Sequence, residues 1–478
     1  MLRAFVTLAA IAASAQAVVV IRPGPLPRGW VAAPLPSTME QEVKFSVALR
    51  EQHLDEVKRI ALAVSDPRSP EYGNHRSAAE LAELTAPMPA DSATVRGWLE
   101  ASACTLMSEH STDRLLAVRC TVAAASDLLA TSFHTLTNSV TGQSVTKAAD
   151  ISLPEAVDAA IAALFGLHGL PLPPRPRRAT TSVWNNAAAA QRPPPMAANV
   201  TPAVIAEVYN VGGVTVDRSS KNKQAVAEFQ GQTYNSTDLD KFFSLYVPDA
   251  KPGDEKVHKS IGDPGDGASQ DEASLDIQFI MGVAPGVKTD FYLYSAMDFC
   301  ADLKNWTSAI LSEGDDAALV HSVSYGLQAN LTSPDTAGMG CSIKQIDAVD
   351  ADFAKLAAQG ISIIFASGDS GSGYSPSFCT AEIQNNTKLT GTEVDPEAPL
   401  CQGQPCPTET VTASDCCEIS SNAKVPGFTW TPPKHQTKPP VRTPANISPL
   451  YLSVSLSLCQ CVTYIYIRRS RYAQAPLG

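Results

Sequence analysis

The pattern of apolar residues along the chain changes near residue 200. In the earlier part, apolar positions at helical spacing predict a helix over residues 43–64, which Ser65-Asp66-Pro67 ends. Further helices are predicted over 77–84 and 92–101, and a strand over 115–122. These elements predict a compact unit of mixed helices and strands between about residues 38 and 170.

After residue 202, short apolar strands alternate with helical segments. Such alternation favours a doubly wound parallel sheet with right-handed crossovers, in which chemistry lies at the carboxyl ends of the strands. The candidate strand ends are Ser324-Tyr325-Gly326 and residues 366–371. The predicted strands are 225–229, 287–294, 317–325 and 361–366, and the predicted helices are 274–281 and 343–359, the second ended by Gly360.

Two segments of unusual composition flank the first unit. Residues 1–17 place Arg3 before a short apolar run and end in Ala15-Gln16-Ala17, which predicts an export signal rather than a membrane anchor. Residues 171–178, rich in proline and arginine, are expected to be exposed and open to proteases. The predicted domains are a signal (1–17), a first unit (18–178), a linker (179–199), a second unit (200–388) and a proline- and cysteine-rich tail expected to be disordered (389–478).

Charge and cysteine content narrow the possible functions. The chain has 478 residues, with 36 basic and 48 acidic ones, so nucleic acid is not expected as a partner. An oxidising compartment would let Cys104 pair with Cys120, and Cys300, Cys341 and Cys379 supply a second bridge.

Six N-x-[ST] sequons fit an exported glycoprotein, in the extracellular space or an acidic lysosome- or vacuole-like compartment. Glycosylation is expected at Asn235, Asn305, Asn330 and Asn385.

Glu272 and Asp276 are the first candidates for chemistry. They lie four residues apart at the start of a predicted helix, so both carboxylates would occupy one face. Two such carboxylates, when partly desolvated, raise the pKa of one of them and share a proton. An acidic first turn favoured by the helix dipole is the simpler explanation of the pair taken alone. The pair alone therefore leaves both interpretations open.

Several segments, in a consistent order, resemble the sedolisins, the serine-carboxyl peptidases that include the tripeptidyl peptidases. The resemblance implies a subtilisin-like doubly wound α/β sheet, incomplete at its carboxyl end, preceded by an α+β activation prodomain. It also implies protein or peptide substrates, with the prodomain acting as an intramolecular inhibitor. The matching segments are 49–55 and 64–73 for the prodomain, 201–211 for the start of the catalytic domain, 270–278 for the glutamate and aspartate of the Glu-Asp-Ser triad, 321–326 for the cleft strand and 365–371 for the oxyanion turn.

The resemblance also implies a role for each matching residue. Glu272 would be the general base, Asp276 would orient it, and Asp369 would donate a proton from a neutral carboxyl to the oxyanion. Such carboxyl chemistry suits acidic pH. The cleft residues that would pair with the substrate backbone are Val323, Ser324, Tyr325 and Gly326.

Other serine-hydrolase schemes fit less well. The string Gly368-Asp369-Ser370-Gly371 copies the nucleophile turn of chymotrypsin-like proteases, but it follows a parallel-type strand and lacks a matching histidine. His258 lacks the glycine-rich helix start that a subtilisin triad requires. No metal-spaced histidine cluster occurs, and the calcium-binding aspartate segment of the sedolisins has no counterpart, so no metal or other cofactor is expected.

The carboxyl-terminal part departs from the family. No Ser-Gly-Thr-Ser-like nucleophile segment follows Asp369, and residues 396–449 contain 11 prolines without a helical or strand period. Apolar and polar residues alternate in part of the segment 451–467, which Arg468-Arg469 follows, and this pattern fits a membrane stretch or an edge strand. A truncated or read-through gene model, or a natural truncated paralogue, would explain the departure from the family. The membrane stretch is too short and polar, so no membrane association is expected. We expect a secreted peptidase proenzyme that is inactive as written, or alternatively a non-catalytic peptide-binding glycoprotein.

Overall fold

The computed structural model describes residues 18–27, 29–107, 112–172, 200–212, 216–263, 270–326 and 341–366, and four two-residue strands further along the chain. The predicted signal, the whole predicted linker and most of the tail lie outside the described residues. The same holds for Asp369, Cys379, Asn330 and Asn385, which several predictions concern.

The amino-terminal unit combines antiparallel sheets with short helices. In chain order its elements are β1 (Val18–Ile21), β2 (Trp30–Pro36), β3 (Glu42–Leu49), α1 (Leu54–Ser65), α2 (Ala78–Leu84), α3 (Pro89–Glu100), β4 (Thr105–Leu106), β5 (Leu115–Thr121), α4 (Val122–Leu129), β6 (Phe133–Asn138), β7 (Ser144–Ala148), β8 (Ile151–Pro154), α5 (Glu155–Ala160) and β9 (Ile161–Phe165). The sheets run β4-β5-β3-β9, β2-β6-β7 and β1-β8. This is the α+β arrangement that was predicted.

The helix predicted over residues 43–64 is wrong in its first half. That half is strand β3, in which Val43, Phe45, Val47 and Leu49 alternate and are buried. A period of two places these four side chains on one face of the sheet, whereas a helix would scatter them. The helix starts only at Leu54, so the apolar spacing of α1 was extended too far towards the amino terminus.

The other elements predicted for this unit are confirmed. Helix α2 begins one residue after the predicted start at Ser77, because Ser77 is its cap: the Ser77 hydroxyl accepts from the Glu80 N–H and the Glu80 carboxylate accepts from the Ser77 N–H. Helix α3 begins at Pro89, three residues before the predicted start at Ser92, since proline suits the first turn of a helix. Strand β5 lies where a strand was predicted.

The carboxyl-terminal unit is built on a five-stranded sheet in which every pairing is parallel. Its order is β11-β12-β10-β13-β14, which confirms the predicted parallel sheet. Strand β13 is shorter than the 317–325 predicted. The elements are α6 (Pro202–Val208), β10 (Lys223–Phe229), α7 (Ser236–Tyr246), β11 (Lys259–Gly262), α8 (Asp271–Val283), β12 (Lys288–Tyr294), α9 (Phe299–Glu313), a 3-10 turn (Gly314–Asp316), β13 (Val320–Val323), α10 (Ile343–Ala358) and β14 (Ser362–Phe365).

Helices cover both faces of this sheet. Val226 of β10 packs with residues of α7 and α8 on one face. Its neighbours Ala225 and Ala227 pack with α9 and α10 on the other. Gly360 ends α10 with a φ of 85°, a value that glycine adopts without strain. The doubly wound arrangement therefore follows from strands that are apolar on both sides.

The two units share one apolar core. Phe165 and Leu172 belong to the same buried cluster as Trp306 of α9. Pro171 and Leu172 are buried, which corrects the expectation that the proline-rich segment is exposed from its first residue. The correction has a simple cause, because the apolar residues before the arginines pack against the second unit.

Buried charges also join the two units, in a group that we call the interface network: Glu51, Arg114, Lys304, Asp352 and Lys355. The Lys355 Nζ lies 2.7 Å from Glu51 Oε1 and 2.9 Å from Asp352 Oδ1. The Lys304 Nζ lies 2.6 Å from Asp352 Oδ2, and Arg114 Nε lies 3.3 Å from Glu51 Oε2. Burial alone would raise the pKa of Asp352, but the ammonium groups of Lys304 and Lys355 lower it to about 2.

Two disulfides lie in the described residues: one is the predicted Cys104–Cys120 pair, and the other is one of the pairings left open among Cys300, Cys341 and Cys379. Cys104 bonds to Cys120 within the amino-terminal unit, and Cys300 bonds to Cys341 between α9 and the residue before the cap of α10. The described part of the tail holds two antiparallel pairs, β15 (Leu400–Cys401) with β16 (Gln404–Pro405) and β17 (Lys424–Val425) with β18 (Phe428–Thr429). Strands of two residues have no readable period, so the sequence did not predict them.

Candidate active site

Helix α8 carries the two predicted carboxylates near its amino-terminal end. The helix follows β11, so this end lies at the carboxyl edge of the parallel sheet. Its cap residue Gln270 is extended, and the Gln270 N–H donates to the Thr233 carbonyl oxygen at 2.8 Å. Glu272 and Asp276 are both partly buried, one turn apart. Ala273 and Ile277 of the same helix are buried against the sheet.

The structure brings Asp276 into contact with the predicted cleft segment. The Ser324 hydroxyl donates to Asp276 Oδ2 at 2.5 Å. Ser324 directly follows β13, whose carboxyl end faces the start of α8 across β10 and β12. Two parts of the site that are 48 residues apart in sequence therefore meet at one edge of the sheet.

The other cleft residues have different surroundings. Val323 is buried in the core, and Gly326 is exposed. The ring of Tyr325 packs edge-on against Phe229, with 5.5 Å between centroids, on the side of the sheet that faces α9. Alternation along the extended chain therefore sends the Tyr325 side chain towards α9 and the Ser324 side chain towards α8. The predicted oxyanion residue Asp369 lies outside the described residues.

Glu228 is a third carboxylate at this edge, and the sequence reasoning missed it. It is fully buried near the end of β10, and alternation places it on the same face as Val226, which packs against α8. A charged residue inside the apolar run 225–229 was the available signal, because buried glutamates are rare unless they have a partner or a function.

The amino-terminal unit lies against the same edge, at the start of α9. Asp298 caps α9, and its Oδ2 accepts from the Gly166 N–H at 3.2 Å and lies 3.7 Å from Lys147 Nζ. A Cβ on Gly169 would lie 2.3 Å from Asp298 Oδ1, so only glycine allows this approach. Burial raises the pKa of nearby Asp302 to about 8 and lowers the pKa of Lys147.

Two histidines with well-defined partners, His258 and His321, lie away from this edge of the sheet. His258 Nδ1 is 2.6 Å from Asp290 Oδ1, but both lie at the amino ends of the strands, beside Lys223. Burial lowers the pKa of His321 to about 4, and its Nε2 lies 3.0 Å from the Ala318 carbonyl oxygen. These surroundings are those of structural side chains, in keeping with the rejection of a histidine-based triad.

Two predicted glycosylation sites lie in described residues. Asn235 is exposed, and its side chain caps α7 by accepting from the Thr237 N–H at 2.8 Å. Asn305 lies within α9, and the Thr307 of its sequon is buried and donates to Asp352 Oδ2 at 2.7 Å. Among the described residues, no three side chains of His, Cys, Asp or Glu gather as metal ligands, and no helix is long and apolar enough to cross a membrane.

The chain is similar in sequence to known proteins. Residues 28–170 match the family described as the pro-kumamolisin activation domain. Over 360 residues, 73% of this chain, the sequence is 30% identical to tripeptidyl-peptidase 1 of Canis lupus familiaris and of Homo sapiens, and 29% identical to that of Rattus norvegicus. The aligned region spans 59% of the length of each of these relatives.

The matches confirm the predicted resemblance. The chain is similar to the sedolisins, the family of tripeptidyl-peptidase 1, and it carries a pro-kumamolisin-type activation unit ahead of an α/β unit with a parallel sheet.

Proposed function

We propose that this protein is a secreted peptidase proenzyme of the acid-adapted Glu-Asp-Ser type, with a peptide-binding cleft at the carboxyl edge of its subtilisin-like sheet and without an identified serine nucleophile. The contact that carries the proposal is the hydrogen bond from Ser324 to Asp276 at 2.5 Å. It joins the carboxylate helix to the cleft segment, two features that the sequence identified separately. Peptides would add to the cleft as an extra strand beside residues 323–326.

The chemistry of the family would divide among three carboxyl groups. Glu272 would take the proton of a serine nucleophile, and Asp276 would orient Glu272. Asp369 would donate from its neutral carboxyl to the oxyanion, an interaction worth about 3 kcal/mol in the transition state. A carboxylate base stays functional at acidic pH, where a histidine base is protonated.

The given sequence contains no Ser-Gly-Thr-Ser-like string after Asp369. We propose that this polypeptide alone therefore turns over peptides very slowly, since loss of a serine nucleophile costs about 10⁶-fold in rate in subtilisin. A non-catalytic, secreted peptide-binding glycoprotein is the second candidate, favoured by the same observation. The activation unit would inhibit access in either case, supported by its contacts with Asp298 and Lys355.

Activity and binding measurements on the full chain test the proposal. Purified protein is incubated at pH 3–6 with a fluorogenic tripeptide amide, and binding of an unlabelled peptide is followed by calorimetry. We expect binding that Glu272→Ala weakens, without appreciable turnover. Asp271→Ala, at an exposed neighbouring position, is the matched control.

Three outcomes decide between the candidates. Rapid turnover abolished by Glu272→Ala would refute the inactivity and the non-catalytic candidate together. Absence of peptide binding, both before and after cleavage between residues 178 and 199, would refute the peptide-binding role. Sequencing the transcript beyond the codon for Gly373 would show whether a nucleophile segment is encoded after the oxyanion turn.

A further inference from the structure

The side chain of Ser324 has a partner that its expected role does not require. A residue that pairs with a substrate backbone uses its own backbone N–H and carbonyl, so any small side chain would suffice. In this structure the Ser324 hydroxyl instead contacts another side chain: it donates to Asp276 Oδ2 at 2.5 Å. A hydroxyl that donates to an ionised carboxylate forms a charge-assisted hydrogen bond, which is stronger than a neutral one.

The local geometry fixes this hydroxyl. Val323 is fully buried, and Tyr325 is held by its ring contact with Phe229. The residues on both sides of Ser324 are thus anchored on the α9 face, which leaves the Ser324 side chain facing α8. Asp276 is anchored in turn, because Ile277 beside it is buried under the sheet.

A hydroxyl has one proton to donate. When Ser324 donates it to Oδ2, that oxygen is held as an acceptor, and any proton shared between Asp276 and Glu272 must be carried by the other oxygen. A hydrogen bond to the charged form of a carboxyl group favours ionisation. The contact therefore affects both the orientation and the protonation of Asp276.

We propose that Ser324 is a positioning residue that holds Asp276 as a hydrogen-bond acceptor and links occupancy of the cleft to the carboxylate pair. The link to the cleft rests on the proposed function, whereas the effect on Asp276 does not. A peptide that pairs with the backbone at residues 324–326 would shift Ser324, and its hydroxyl would transmit this shift to Asp276. Ser324 would thereby act through Asp276 without contacting the reacting atoms.

The first test follows the titration of Asp276 in the full chain. Protein labelled with ¹³C at aspartate carboxyl carbons is titrated by NMR, and Asp276→Asn identifies the signal. Ser324→Ala is expected to raise the titration midpoint by about one pH unit, because a hydrogen bond to a charged group contributes about 1.5 kcal/mol or more. Ser324→Thr, which keeps the hydroxyl, should restore the wild-type midpoint.

Ser322→Ala is the matched control, since Ser322 lies two residues earlier on the same face of the strand and is likewise partly buried. It should leave the Asp276 midpoint unchanged. An unchanged midpoint in Ser324→Ala, or equal shifts in the alanine and threonine variants, would overturn the positioning role. If Ser324→Ala does not fold, Ser324→Gly removes the same hydroxyl and is judged by the same criteria.

The second test adds a tight-binding peptide to wild type and Ser324→Ala. The Asp276 midpoint should move on peptide binding in wild type and stay in place in the variant. A peptide-induced shift of equal size in both proteins would overturn the link to the cleft. If no peptide binds at all, the proposed function fails, while the titration without peptide still decides whether Ser324 positions Asp276.

Discussion

Two groups of acidic side chains lie on opposite faces of the parallel sheet, and their partners differ. On the α10 face, Asp352 contacts the ammonium groups of Lys304 and Lys355 within 3 Å. On the α8 face, Asp276 lies one helical turn from Glu272 and accepts a hydrogen bond from the Ser324 hydroxyl. Asp352 and its two lysine partners are almost fully buried, whereas Glu272 and Asp276 are partly buried.

The difference shows what buried charge does in each place. In the interface network, nearby cations lower the pKa of Asp352 to about 2. Its carboxylate therefore stays ionised at any pH well above 2. Glu272 and Asp276 lie one helical turn apart, a spacing at which two desolvated carboxylates in general share a proton. Fixed charge suits cohesion between the units, and movable protons suit chemistry.

The largest expected effect comes from breaking the interface network. Lys355→Met should lower the free energy of unfolding by about 3–5 kcal/mol, because it leaves the buried carboxylates of Glu51 and Asp352 without their shared cation. Urea denaturation at pH 5 measures the change. A loss below about 1 kcal/mol would contradict the view that this network joins the units.

Removing the Cys300–Cys341 disulfide should lower the free energy of unfolding by nearly as much. Cys300→Ser with Cys341→Ser opens a loop with a sequence separation of 41 and should cost about 4 kcal/mol. The matched double variant at Cys104 and Cys120 opens a separation of 16 and should cost about 3 kcal/mol. Denaturation under oxidising conditions measures both, and a clearly costlier loss at Cys104–Cys120 would reverse the expected order.

The pH dependence of stability tests the buried carboxyl at the start of α9. The pKa of Asp302 rises from 3.8 to about 8, so between these values the folded state holds a proton that the unfolded state has lost. Its contribution to stability is therefore greatest at acidic pH and falls by about 2.7 kcal/mol from pH 5 to pH 7.

Asp302→Asn should remove that part of the dependence. The measurement is the difference between wild type and variant in free energy of unfolding, at pH 5 and at pH 7. Asp352→Asn is the contrasting variant, because a lowered pKa adds stability that is lost only as the pH falls below 3.8 towards 2. Parallel curves for wild type and Asp302→Asn would show that burial does not hold this proton.

The smallest effect is expected at an exposed ion pair between the same two units. Lys344 Nζ lies 2.7 Å from Asp158 Oδ1, but its side chain is 52% exposed. Lys344→Met should change the free energy of unfolding by no more than about 0.5 kcal/mol. A change similar to that of Lys355→Met would mean that burial does not explain the strength of the interface network.

Much of the carboxyl-terminal unit could be predicted from local pattern. The β-branched run of β14 and the helix α10 that ends before Gly360 have strong periods and clear stop signals. Strand β3 could not be separated from α1, because Val47 fits both a helical and an alternating pattern. Only pairing with β5 and β9 decides between the two.

In the candidate site, too, local pattern predicted some features, and contacts between remote residues decided others. Spacing alone placed Glu272 and Asp276 on one helical face, and the run around residues 321–326 identified the cleft segment. Nothing in the sequence indicated that the Ser324 hydroxyl meets Asp276, since the residues are 48 apart. The sequence likewise gave no reason to link Lys355 with Glu51, 304 residues away.

The sequence by itself determined the parallel α/β unit, the carboxylate helix, the activation-type first unit and the family resemblance, because periodicity, capping and short motifs are local properties of the chain. The tertiary structure alone decided which buried charges meet opposite charges within 3 Å and which carboxylate meets the Ser324 hydroxyl. That outcome depends on burial and on distances of a few ångströms between residues remote in sequence, and these distances exist only once the sheet has brought its strand ends together.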